Sequence, residues 1–346
     1  MLLTFIYPNV TLTADIGAPR ITSQPNNNKD SKIWASLIHL SCNMWLDWDP
    51  PEGKFPEIPL HSHFKPFLRF DETLWDDIIK KMAENGMNML VLDLGDGVRY
   101  KSHPEIAVEN AWSVEQLKGE LNKLRELGLE PIPKMNFSTW HDAWLGEYQK
   151  MVSSETYYSV CSDLIEEVSD IFEKPRFFHL GMDEEYSAEI EPVEKHYQHQ
   201  FTRKPNMYWH DLYFFIGQVE KAGSRPWVFF DERNPGGPES IYRKFPKSML
   251  LTAWVYGDKT RFLKDEYKTK GFHEMSDLGF DQIPCGSNIT SPNNFNTLVD
   301  YCVEHLNRDY LLGFMMAPWQ PTLESCRDEH FKAIEQVGEA IRKFPI

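Results

Sequence analysis

The sequence predicts a single (β/α)₈ TIM barrel in the α/β class. Three observations lead to it. Short apolar segments alternate with amphipathic ones from residue 33 to the end of the chain. There are eight such pairs, with no sign of a second domain or a short-period repeat. Residues able to do chemistry collect directly after the apolar segments. Alternation of this kind means parallel strands joined by crossover helices, and eight units fit a closed barrel better than an open sheet.

Residues 1–31 read as an irregular N-terminal segment that ends in the polar run Asn26-Asn27-Asn28-Lys29-Asp30, and residues 32–346 read as the barrel. The strands are expected at 33–40, 88–94, 130–135, 176–180, 227–230, 249–254, 280–284 and 311–316. The first helix is expected over 72–85, where Asp71 can cap it, Leu74, Ile78 and Met82 repeat at helical spacing, and Gly86 can end it. The second opens with Ser113 and Gln116 as a capping box and closes at Gly128. Further helices are expected over 154–172, 206–222, 239–245, 259–269, 294–305 and 324–344.

The chain has 346 residues and a formal net charge of −16. Nucleic-acid binders present a basic surface, so that class is excluded, and an anionic membrane surface is disfavoured on the same ground. No apolar run is long enough to span a bilayer. The opening stretch lacks a basic region and is interrupted by Pro8, so it reads poorly as an export signal. The five cysteines are scattered and form no C-x-x-C pair, which favours free thiols. Aromatic residues make up 14% of the chain, with 11 Trp. Most belong to the core, but indole faces also stack well on sugar rings. Oligomeric state is not legible.

In barrel enzymes the active site lies at the C-terminal ends of the strands. After the second strand come Asp93, Asp96 and Arg99; after the third, Asn136, Trp140, His141, Asp142 and Trp144; after the fourth, Asp183, Glu184 and Glu185. Asp231 and Glu232 follow the fifth, Trp254, Tyr256 and Asp258 the sixth, Ser287 and Asn288 the seventh, and Trp319 and Gln320 the eighth. Carboxylates and indoles on one rim describe a sugar-cleaving pocket. The three consecutive acids after the fourth strand are the strongest signal. Like charges so close repel, and the expectation is that at least one has a raised pKa, as a general acid needs.

His179-Leu180-Gly181-Met182-Asp183-Glu184 resembles the H-x-G-G-D-E motif of family 20 glycoside hydrolases, the β-N-acetylhexosaminidases. The neighbouring segments are similar in order and register: Asp93 through Arg99 with His103-Pro104-Glu105, Pro131 through His141, Phe230-Asp231-Glu232, Trp254, and Gly313 through Trp319-Gln320. The resemblance implies an exo-acting hydrolase that needs no cofactor and no metal. In it Glu184 is the acid/base, and Asp183 orients a substrate 2-acetamido group that attacks the anomeric carbon in place of a protein nucleophile. His141 and His179 support the acid. Trp254 and Trp319 wall the sugar, and Asp93, Arg99, Asp231, Glu232 and Gln320 contact its hydroxyls. Secreted or periplasmic placement would suit such an enzyme. The chain departs from the pattern at Met182, at Gln320 in place of a Glu, and at Cys285-Gly286-Ser287-Asn288, where the family has a Tyr that binds the acetamido oxygen. Tyr256 on the neighbouring strand is the candidate replacement.

Three alternatives stand beside this reading. A nucleophilic carboxylate after the seventh strand has only Asp281 to draw on, at the wrong end of that strand. If a protein carboxylate is nevertheless the nucleophile or base, Glu232 and Asp183 are the candidates. A metal site has His61-Ser62-His63 as its one motif, with no further histidine ligands at the strand ends. A barrel that binds glycans without cleaving them would tolerate the departures. Asn9, Asn136 and Asn288 begin glycosylation sequons, and glycans on the last two would block the rim.

Overall fold

The computed structural model describes residues 32–49, 60–185, 203–230, 241–259, 262 and 266–344. The expected N-terminal segment, Asp231 and Glu232 lie outside them. The strands are β1 (Ile33–His39), β2 (Met89–Asp93), β3 (Glu130–Lys134), β4 (Phe177–His179), β5 (Arg225–Phe229), β6 (Leu250–Thr252), β7 (Cys285–Gly286) and β8 (Gly313–Met316). All pair in parallel, in the order β6-β5-β4-β3-β2-β1-β8-β7. Isolated bridges Leu251–Gln282 and Trp254–Cys285 join β6 to β7 and bring the ring round on itself. This is a (β/α)₈ barrel.

Each strand is buried on both faces, as a barrel requires. Side chains alternate in direction along a strand, so every second residue faces the lumen. The lumen holds Ile33, Ala35 and Leu37 of β1, Met89 and Val91 of β2, Ile132 of β3, Phe177 of β4, and Trp227 and Phe229 of β5. The opposite faces join a larger core with the surrounding helices. Continuing the alternation upward puts His39, Asp93, Lys134 and His179 in the topmost lumen layer. The register confirms it, pairing His39 with Asp93, Asp93 with Lys134, and Lys134 with His179.

The helices bury their apolar stripes on this barrel. Asp71 caps Glu72–Glu84 by accepting from the Thr73 and Leu74 amides at 2.9 and 3.0 Å. Ser113 caps Val114–Glu126 by accepting from Gln116 N. The reciprocal half of the expected capping box does not form, because the Gln116 side chain turns to Glu72 instead. Gly86 and Gly128 leave these helices at φ +81° and +77°, conformations open to glycine.

Three elements differ from expectation, one being the short helix expected over 239–245, which among the described residues is a 3₁₀ turn over Tyr242–Lys244. The regular part of the seventh strand is Cys285–Gly286, beyond the expected 280–284, which contributes only isolated bridges through Gln282. Pro284 has no N–H to extend a ladder. The sixth-unit helix is Glu266–Asp277, reaching a full two turns past the expected end at Thr269. No helix among the described residues is long and apolar enough to cross a membrane.

Candidate active site

The floor of the site is the polar top layer of the lumen. Lys134 Nζ lies 2.5 Å from Asp93 Oδ2, and His39 Nδ1 lies 3.2 Å from the same oxygen, all three side chains being essentially inaccessible. Burial alone would raise the Asp93 carboxyl. Lys134 and His39 outweigh it and hold Asp93 below the usual carboxylate range. Asp93, expected to touch a sugar hydroxyl, is therefore committed to neutralising a buried lysine. His179 is pushed down to about 3 by burial and by Lys134, so it is neutral. Its Nδ1 accepts from Gly181 N at 3.0 Å, which places its proton on Nε2. It supports the turn after β4 and not the carboxylates themselves.

That turn carries the cluster of acids. Gly181, Met182 and Glu184 take left-handed φ values of +70°, +68° and +56°. The conformation costs about 1–2 kcal/mol for each residue that is not glycine, and such strain persists where surrounding contacts enforce it. Here they do. Asn136 Oδ1 accepts from Met182 N at 3.2 Å, Tyr208 Oη donates to Met182 O at 3.1 Å, and Ser138 Oγ donates to Asp183 O. A Cβ at Gly181 would fall 1.9 Å from Asn136 Oδ1, so only glycine fits there.

The turn sends three consecutive acids into three environments. Asp183 is buried, with Oδ1 2.9 Å from Asn136 Nδ2 and 3.5 Å from His141 Nδ1. The Glu184 side chain is 34% exposed, with Oε2 3.2 Å from His141 Nε2. Glu185 is fully buried, accepting from Thr139 N and Oγ1 at 2.7 and 2.9 Å and from Arg203 Nη1. The expected repulsion does not arise, because Glu185 belongs to a separate ion network. Burial would raise Asp183, but His141, Lys134 and Asn136 together hold it well below the usual range. His141 moves the other way. Burial opposes its charge, yet Asp183 and Glu184 raise it to about 10, so at neutral pH it is an imidazolium bridging both carboxylates.

Trp319 and Tyr256 face each other at the same end of the barrel. Trp319 Nε1 donates to Tyr256 Oη at 2.9 Å, and Tyr256 Oη lies 3.9 Å from Cys285 Sγ. Trp319 and Trp254 pack against the top of the lumen core. Gln320 Oε1 turns to the Cys326 thiol at 3.7 Å. Arg99 is exposed, apart from this constellation.

Several members were not singled out by the sequence reading. Trp45, in the loop after β1, packs its ring near His61, His39, His141 and Trp319, at centroid distances of 4.8, 5.9, 5.9 and 6.2 Å. It forms the wall on the β1 side, with His61 pushed to about 3 by burial and the neighbouring His39 and Arg69. His39 and Lys134 had a usable signal in the period-two alternation. Trp45 had none, since loop geometry alone places it, and Asn136, expected at the rim after the third strand, had no signal tying it to Asp183. The Asn136 amide is buried and fully engaged, so its sequon is not available to a glycan in the folded chain.

Among the described residues one group of three, His141, Asp183 and Glu184, brings potential metal-ligand atoms within 4.8 Å of one another. In this arrangement the imidazole faces both carboxylates as an ion-paired triad, and a cation there would have to displace its proton.

No family model and no curated protein matches the sequence. Solved structures do match in fold. The family 20 exo-β-N-acetylglucosaminidase of Vibrio harveyi, solved with N-acetylglucosamine, is 12% identical, with a TM-score of 0.59 over 89% of this chain and 54% of that one. The family 20 β-N-acetylhexosaminidase of Streptomyces coelicolor is 11% identical, with a TM-score of 0.59 over 89% of this chain and 64% of that one. The pneumococcal virulence factor StrH, described with N-glycan recognition and hydrolysis, is 13% identical, with a TM-score of 0.54 over 90% and 83%. The chain thus spans about half the length of the Vibrio protein, and the likeness is one of barrel architecture.

Proposed function

We propose that the chain is a retaining glycoside hydrolase that removes a terminal 2-acetamido sugar with assistance from the substrate's own acetamido group. The observation that carries this reading is the His141 bridge between Asp183 and Glu184 at the C-terminal end of β4. One oxygen of each carboxyl lies within 4.8 Å of the other's. Inverting enzymes keep their carboxyls roughly 6.5–9.5 Å apart to admit a water, and no such space separates these two. Asp183, held anionic, suits the acetamido N–H, which becomes more acidic as its carbonyl oxygen attacks the anomeric carbon. Tyr256 Oη supplies a donor for that oxygen. Glu184, the more exposed of the pair, delivers the proton to the leaving oxygen. His141 Nε2, 3.2 Å from Glu184 Oε2, holds the carboxyl in place for that transfer.

The solved neighbours that carry this barrel and are described as β-N-acetylhexosaminidases support the same substrate class. The test is release of a fluorescent aglycone from two matched β-glycosides, one with a 2-acetamido group and one with a 2-hydroxyl, by the wild-type chain and by Glu184→Gln. Cleavage of the acetamido substrate alone, lost in the variant, is the expected result. Cleavage of the 2-hydroxyl substrate would require a protein nucleophile, and sugar binding with no turnover of any substrate would leave a glycan-binding barrel.

A further inference from the structure

We propose that Asn136 is a positioning residue for Asp183, its side-chain amide fixing the carboxylate in one orientation toward the substrate's acetamido group. The inference rests on the function proposed above. An asparagine amide has an accepting end and a donating end, and here the environment decides which is which. Oδ1 accepts from Ser138 N at 3.0 Å and from Met182 N at 3.2 Å, using both lone pairs. A flipped amide would set N–H against N–H at both contacts. Nδ2 must therefore face Asp183 Oδ1, at 2.9 Å. The backbone of Asn136 is held as well, since Trp144 Nε1 donates to its carbonyl at 2.9 Å. Gly181 packs directly against the amide, leaving it no room to turn. With Oδ1 of Asp183 occupied by Asn136 and His141, Oδ2 is the oxygen left for an acetamido N–H.

Asn136→Asp separates this role from a purely structural one. The introduced carboxyl keeps the acceptor for Ser138 N and Met182 N, but when ionised it sets an oxygen against Asp183 where a donor stood. Two carboxylates at that distance repel, so the pair takes up a proton at a higher pH than Asp183 does alone, while both stay ionised at neutral pH. The charged and titratable groups around Asp183 are unchanged: His141 from the loop after β3, Lys134 at the end of β3, His179 at the end of β4, Glu184 beside it, and Cys285 of β7. The variant should raise the Asp183 midpoint in a site-resolved ¹³C-carboxyl titration by roughly one pH unit or more. On the 2-acetamido glycoside, kcat should fall about 100-fold at neutral pH with KM little changed. Activity should recover in part toward acid pH, where the protonated carboxyl donates to Asp183 as the amide does. An unmoved Asp183 midpoint, or kcat close to wild type at every pH, overturns the proposal. A second measurement needs neither substrate nor that variant. In Asp183→Asn the Asn136 side-chain amide protons should shift upfield on losing a charged acceptor, and an unchanged resonance overturns the proposal. If the wild-type chain cleaves no acetamido substrate, the hydrolase reading falls, and these two spectroscopic readings still decide whether Asn136 orients Asp183.

Discussion

The indole of Trp319 donates to the hydroxyl of Tyr256 at 2.9 Å, tying the loop after β8 to the loop after β6 across the strand between them. Trp319 holds this position at a left-handed φ of +52°, a strained geometry for a bulky residue. The hydroxyl receives a hydrogen bond and keeps its own proton to give. Burial, Cys285 and Glu184 raise its pKa well above the ordinary value, against the Trp319 bond, so it remains a donor throughout the working range.

Tyr256→Phe removes that donor while keeping the ring. The expected result on a 2-acetamido glycoside is a fall in kcat/KM of about 100-fold, the cost of one preorganised oxyanion donor. The half-buried indole N–H also loses its acceptor, at roughly 0.5–1.5 kcal/mol of stability. Steady-state kinetics and urea unfolding measure the two effects. Activity equal to wild type would remove Tyr256 from the site.

The His141 bridge makes stability depend on pH in a defined direction. Its folded pKa of about 10 lies above the ordinary 6.5. The stabilisation it supplies is complete below 6.5 and is lost as the pH climbs from there to about 10. Asp183 acts oppositely: its contribution is present above 3.8 and is lost as the pH falls below that value. Melting temperatures of wild type and His141→Asn, taken from neutral to alkaline pH, should differ most near neutrality and converge toward pH 10. A constant offset over that range would show that the histidine is neutral in the folded chain.

Asp142 is a buried carboxyl with little to hold it. Its Oδ2 has no hydrogen-bond partner. Burial lifts its pKa to about 8, with Arg203 and His141 pulling down and Glu185 pushing up. A raised folded pKa means that stability declines as the pH rises from 3.8 toward 8. Asp142→Asn removes the ionisation, so the variant should melt higher than wild type near pH 8 and nearly equal to it near pH 4. A lower melting temperature at the alkaline end would mean that Arg203 pairs with the carboxylate.

The barrel was legible because its periodicities are strong. Leu74, Ile78 and Met82 announce a helix, and Ile33, Ala35 and Leu37 announce a lumen face that leads on to His39. The seventh strand was misplaced because Phe280 and Ile283 suggest a strand at 280–284, whereas Pro284 has no N–H to continue a ladder. The positions of Asp183, Glu184 and His141 followed from the rule that chemistry sits after the strands. Their electrostatics did not. Adjacency in sequence was read as adjacency of charge, whereas the left-handed turn at Met182 and Glu184 sets Asp183 on Asn136, shares His141 between Asp183 and Glu184, and sends Glu185 to Arg203. Those partners, Asn136, His141 and Arg203, lie 18 to 47 residues away along the chain.

The last of these partners anchors the turn after β4 from behind. Arg203 donates to Glu185, to Asp211 Oδ2 at 2.6 Å, to Phe137 O at 3.0 Å and to Tyr157 Oη at 3.0 Å. The three charged side chains are 0–1% exposed. Glu185 follows Glu184 directly and also holds the Thr139 backbone, so this network fixes the loops after β3 and β4 together. Arg203→Met would leave two buried carboxylates without their cation. Removing one partner of a buried ion network costs about 3–5 kcal/mol, more than the network's own net contribution, because desolvation is no longer offset. Urea unfolding should register a loss of that size. Arg203→Lys should recover only part of it, since an ammonium keeps the charge but cannot match the planar guanidinium's set of donors. A loss below about 1 kcal/mol for Arg203→Met would show that the two carboxyls accept protons or water when the guanidinium is removed, and Glu184 would then be held chiefly through Asn136 and Ser138.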